Sequence, residues 1–111
     1  MKKAIKKEIE KQLREKNPPA EWQGVISRYM DEIAGSDKAV ILYSRYMCGW
    51  GYWRTLRELN RQGFYMSQTV FYERLNEALG DLALRAAYEG LICPYSDGLL
   101  PIYPRHFVAK K

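Results

Sequence analysis

The chain has 111 residues, of which 47% are hydrophobic, 28% charged and 14% aromatic. That is enough for one compact domain and too apolar for a mainly disordered segment. Its 18 Lys and Arg against 13 Asp and Glu give a net charge of +5, which admits an anionic partner without establishing one.

Residues 1–17 read as a charged N-terminal helix. Ile5, Ile9 and Leu13 recur every four residues as one narrow apolar stripe. Its first 16 residues hold seven basic and three acidic side chains, a net +4. Lys2, Lys3, Lys6, Lys7 and Lys11 suit a solvated, soluble helix, a DNA-tracking arm, or the flanks of an Ile5-Ile9-Leu13 homodimer seam. Asn17-Pro18-Pro19 ends it, because a residue before proline is pushed out of the α region.

Residues 20–90 are expected to form the helical domain. Trp22, Val25, Ile26, Tyr29, Met30 and Ile33 lie on the i, i+3, i+4, i+7 rows of a second helix. Gly35 stops it and Ser36 caps a third helix, with Asp37 in its first turn. That helix carries Val40, Ile41, Tyr43, Ser44 and Met47 and halts near Gly49 to Gly51. Ser27-Arg28-Tyr29-Met30 recurs as Ser44-Arg45-Tyr46-Met47, an echo too short to define a repeat unit.

A fourth helix runs from about Tyr52 to Gln62, with Trp53, Leu56 and Leu59 on its inner face and Gly63 closing it. Ser67 caps a long fifth helix to about Tyr88, with Phe71, Leu75, Ala78, Leu79, Leu82 and Ala86 inward and Gly80 as a point of close helix contact. From Gly90 the pattern breaks; Pro94, Gly98, Pro101 and Pro104 make residues 91–111 an irregular tail. The expected fold is therefore all-α.

No apolar run approaches about 18 residues, so no membrane-spanning helix is expected. The start, MKKAIKKEIEKQLREK, lacks the apolar core of a signal peptide. Cys48 and Cys93 read as reduced core thiols of a cytoplasmic protein, and two cysteines with His106 cannot complete a four-ligand zinc site. No phosphate-binding GxxxxGK[ST] loop, GxSxG or HExxH occurs, so neither enzyme activity nor a cofactor is expected.

The candidate function lies in residues 52–88, which read as a helix-turn-helix. In that geometry the second helix enters the DNA major groove with its first residues on the base edges. Turning Phe71, Leu75 and Leu79 inward puts Gln68, Thr69, Tyr72 and Glu73 outward. Gln can bond adenine, Thr can meet the thymine methyl, and Glu can accept from cytosine. Ser67, Arg54, Arg57, Arg61 and Arg74 suit phosphate contacts.

The string Met66-Ser67-Gln68-Thr69-Val70-Phe71-Tyr72-Glu73-Arg74-Leu75-Asn76-Glu77-Ala78-Leu79 resembles the last helix of the ArpU- and RinA-like phage transcriptional regulators. Leu42-Tyr43-Ser44-Arg45-Tyr46-Met47, followed by a glycine, resembles their RY-[ILM]-x-G segment. Over about residues 36–90 the arrangement is similar to region 4 of bacterial sigma factors. The resemblance implies a phage or prophage regulator of late, packaging or lysis genes. Its implied partner is double-stranded DNA. Ser67 would cap the recognition helix and Gln68, Thr69, Tyr72 and Glu73 would face the groove. Two departures stand out: the stretch Asn60 to Met66 is about a turn longer than usual, and the groove-facing positions are less basic.

Two other readings compete. One is a small-terminase-like packaging protein. The other is a helical protein-binding module using Trp50, Tyr52, Trp53, Phe64 and Tyr65 to hold a partner such as RNA polymerase or a host factor, although WGYW also suits packing between helices.

Overall fold

The computed structural model describes residues 3–92, and these are all-α: no strand occurs among them. Five α-helices follow in order: α1 (Lys3–Arg14), α2 (Ala20–Glu32), α3 (Asp37–Leu42), α4 (Tyr52–Arg61) and α5 (Gln68–Tyr88). A π-helical segment, Tyr43–Met47, continues directly from α3. Of the expected tail of residues 91–111, only Leu91 and Ile92 are described; residues 93–111, with Cys93 and His106, lie outside the described residues, as do the first two positions.

Local chemistry sets the boundaries. Pro19 occupies the N-cap of α2, where its missing N–H costs nothing. The hydroxyl of Ser36 accepts from the Ala39 N–H at 3.3 Å, and that of Ser67 accepts from the Val70 N–H at 3.2 Å. Helix α4 ends in a tight double reversal: the Phe64 N–H donates to the Leu59 carbonyl at 2.8 Å and the Gly63 N–H to Asn60 at 3.0 Å. This closure places Gly63 at φ 93°, which a Cβ would strain.

One apolar core joins all five helices. Ile9, Tyr29, Ile41, Leu42, Leu59, Phe71, Leu79 and Leu82 are fully buried in it. The α1 stripe of Ile5, Ile9 and Leu13 is buried in the same core, and α1 packs against α5 and the π-helical segment. That stripe is therefore spent within the chain rather than left open as a dimer seam. The Lys3, Lys7, Lys11 and Arg14 side chains remain exposed around it.

Several expectations are corrected. The third helix does not stay α-helical to Gly49; its π-helical end buries Ser44 and Tyr46 and exposes Tyr43 and Met47. A π turn widens the ring from i→i+4 to i→i+5, so the inward row after Leu42 shifts away from the 3.6-residue rhythm. Cys48 is exposed, not a core thiol. Trp53 is 73% exposed, whereas Thr55 is fully buried on the inner face of α4. Threonine can replace an apolar residue there because its hydroxyl donates to the Gly51 carbonyl at 2.9 Å. Gly80 marks no close helix contact, since a Cβ built on it meets nothing within 4 Å.

Candidate nucleic-acid interface

Helices α4 and α5 are joined by six residues, Gln62 to Ser67, and α3 packs against both. Phe71 sits on the inner face of α5, and this register sends Gln68, Thr69, Tyr72 and Glu73 to the exposed side. No acidic residue lies in the first turn of α5. The positive end of its dipole is thus left without an internal counter-charge, which suits an approaching phosphate.

The start of α4 is held against the start of α5 by rings. Tyr52 meets Phe71 edge-on at 4.8 Å and stacks with Tyr72 at 5.8 Å with 14° between planes. Trp53 in turn meets Tyr52 edge-on at 4.9 Å. Tyr72 is therefore partly committed to the fold. Glu73 remains exposed and forms no ion pair among the described residues.

The four expected phosphate-binding arginines divide into two kinds. Arg57 is exposed, and Arg54 is exposed with its guanidinium 4.2 Å over the Trp50 ring. Arg61 is instead bound to Glu58 on its own helix, and Gln62 donates to the same carboxylate at 2.6 Å. Those two hydrogen bonds, with the Arg61 charge behind them, hold the Glu58 carboxyl down at about 2. The Arg61 guanidinium is correspondingly raised, first by that hydrogen bond and then by the carboxylate charge.

Arg74 bridges Glu77 on its own helix at 3.1 Å and Asp37 at the start of α3 at 3.2 Å. The Glu77 hydrogen bond, then the Asp37 charge, raise its guanidinium further. Its role is to tie α3 to α5, and it is not the open cation the sequence led one to expect. Neutralising partners were half legible: Glu58–Arg61 and Arg74–Glu77 are i, i+3 pairs, but Asp37 lies 37 positions from Arg74.

The outward row of α4 is Trp53, Arg57 and Arg61, spaced i, i+4, i+8. Tyr65, in the connection to α5, is 78% exposed. Among the described residues, Trp53, Arg57, Arg61 and Tyr65 are thus exposed on α4 and on the connection that follows it. No group of three or more His, Cys, Asp or Glu able to hold a metal ion occurs among the described residues, and no helix there is long and apolar enough to cross a membrane. Comparison of the chain with protein-family profiles, with curated proteins and with solved structures finds no match.

Proposed function

We propose that the chain is a sequence-specific DNA-binding transcriptional regulator whose α4–turn–α5 unit acts as a helix-turn-helix of the sigma region 4 kind. The observation that carries this reading is the start of α5: a Ser67-capped, 21-residue helix that exposes Gln68, Thr69, Tyr72 and Glu73 together. In the major groove the Gln68 amide would bond adenine and the Glu73 carboxylate would accept from cytosine. Arg54 and Arg57 supply phosphate contacts that set register without reading sequence. Its resemblance to ArpU- and RinA-like regulators adds the expectation of a phage or prophage gene acting on late, packaging or lysis functions.

Gel shifts on duplex fragments at stepped salt test the reading. A retarded complex that weakens steeply with salt is expected, and no complex even at low salt would overturn it.

A second reading is favoured by the exposure of Trp53 and Tyr65. Trp, Tyr and Arg dominate the energetic centres of protein interfaces, and Trp53, Tyr65 and Arg57 are all exposed on α4 and its following connection. RNA polymerase fits as the partner if the two readings operate together, with α5, Arg54 and Arg57 on DNA and Trp53 and Tyr65 on protein.

A further inference from the structure

The charges of the chain are unevenly spread, and the fold sharpens the division. Residues 20–92 hold eight basic and nine acidic side chains, a net −1. Among the basic ones Lys38, Arg61, Arg74 and Arg85 are ion-paired, and Arg45 lies half-buried with its guanidinium 5.9 Å from the Phe71 ring. On α4 that leaves Arg54 and Arg57 exposed without an ion pair among the described residues. Two cations supply little of the phosphate attraction on which duplex binding rests.

Helix α1 is the opposite case. Lys3, Lys7 and Lys11 stand one turn apart on its outer face, all exposed and none ion-paired among the described residues. The nearby carboxylates are turned to other partners: Glu8 accepts from Gln12 at 2.7 Å and Glu10 from the Tyr46 hydroxyl at 2.6 Å. Like charges at i, i+4 repel, and the first turn holds Lys3 and Lys6 with no acidic residue, against the helix dipole. Helix stability therefore does not account for the row. The opposite face, Ile5, Ile9 and Leu13, is spent in the core, so α1 keeps no apolar face with which to enter a lipid surface. It offers instead a row of cations about 6 Å apart along a packed helix. A duplex strand presents a phosphate about every 3.4 Å of its axis, a repeating anion that such a row suits. The π-helical segment links α1 to the start of α5, since Tyr46 bonds Glu10 and the adjacent Arg45 lies over Phe71.

We infer that the outer face of α1 is a second DNA-contacting surface, on which Lys3, Lys7 and Lys11 hold the phosphate backbone of a duplex without reading its sequence. The inference rests on the DNA-binding reading of α5 and adds the cations that the α4–α5 unit lacks.

Fluorescence anisotropy of the full chain on one long duplex, at stepped salt, tests it. Each of Lys3→Gln, Lys7→Gln and Lys11→Gln should flatten the dependence of log K on log salt by about 0.9, and the triple variant by about 2.7. Glutamine matches lysine in helix propensity, so circular dichroism should show α1 retained. Arg28→Gln, which removes the same charge from the exposed side of α2, should leave the slope unchanged. A duplex bound with a slope that the triple variant does not alter would overturn this inference alone, as would equal flattening by Arg28→Gln, the mark of net charge rather than contact. No complex at any salt would overturn the reading of α5 together with it. Vesicles of phosphatidylcholine and phosphatidylserine form the second arm and should bind the chain more weakly than the duplex does. Lysine-dependent binding to vesicles with none to the duplex would assign the row to a membrane surface instead.

Discussion

The Tyr29 hydroxyl donates to the Asp81 carboxylate at 2.7 Å, joining α2 to α5 across 52 positions of sequence. Arg85 lies over the same ring at 4.7 Å. Tyr46 repeats the arrangement: its hydroxyl donates to Glu10 at 2.6 Å, and Arg14 lies over its ring at 5.0 Å. The twice-occurring Ser-Arg-Tyr-Met string therefore has one structural use. Each tyrosine is buried in the core with its hydroxyl satisfied by a carboxylate and its ring covered by an arginine of another helix. Ser27 is exposed while Ser44 is buried, so the equivalence rests in the tyrosines alone.

Replacing Tyr29 with Phe keeps the buried ring and removes one charge-assisted hydrogen bond. Asp81 also lies 3.5 Å from Lys38 and is partly exposed, so the carboxylate is not stranded. The expected loss is about 1 kcal/mol, or a fall of roughly 4–8 °C in Tm for a domain of this size. Thermal unfolding followed by circular dichroism checks it.

The same pair predicts an alkaline limit. Burial first, and then the carboxylate hydrogen bond, push both phenols well above their ordinary value of 10.0. Above pH 10 the unfolded chain releases these protons while the folded chain keeps them, so stability must fall as pH rises. The contribution is intact below about pH 10 and is lost progressively above it. Denaturant titrations from pH 8 to 11 should show this fall, and Tyr29→Phe with Tyr46→Phe should flatten it relative to the unaltered chain.

Two glycines should respond in opposite directions to alanine. At Gly63 the positive φ makes Gly63→Ala destabilising by about 1–2 kcal/mol. At Gly80 the space around a Cβ is open and the backbone is helical, so Gly80→Ala should stabilise by up to about 1 kcal/mol. Chemical denaturation of both variants measures the signs directly.

Most of the helix layout was legible because its signals are local. Pro18 and Pro19 separate α1 from α2, Ser36 and Ser67 cap α3 and α5, and the Phe71–Leu75–Leu79–Leu82 row holds the 3.6-residue rhythm. The inner face of α4 was not, because tryptophan carries far more apolar surface than threonine and nothing local reveals that Thr55 can satisfy its hydroxyl on Gly51. A π-helical turn is likewise invisible to a fixed helical period. Within the candidate site, the outward set on α5 followed from the buried row. The engagement of Arg74 did not, since its Asp37 partner is a tertiary contact between α3 and α5.

The arginine arrangement gives a charge prediction for the proposed DNA complex. Arg57→Ala should flatten the dependence of log K on log salt by about one, as expected for one lost phosphate contact. Arg61→Ala should change it less, because Glu58 already holds that guanidinium. Glu58→Gln should raise affinity by releasing Arg61. Fluorescence anisotropy at four or five salt concentrations resolves all three.

The central claim is that the first turns of α5 read base sequence, and selection of bound duplexes from a random pool tests it most directly. The unaltered chain should enrich a defined site, and Gln68→Ala should relax preference at one base position while leaving the rest of the site intact. Recovery of no sequence above the unselected pool would contradict the claim, as would a site that Gln68→Ala leaves wholly unchanged.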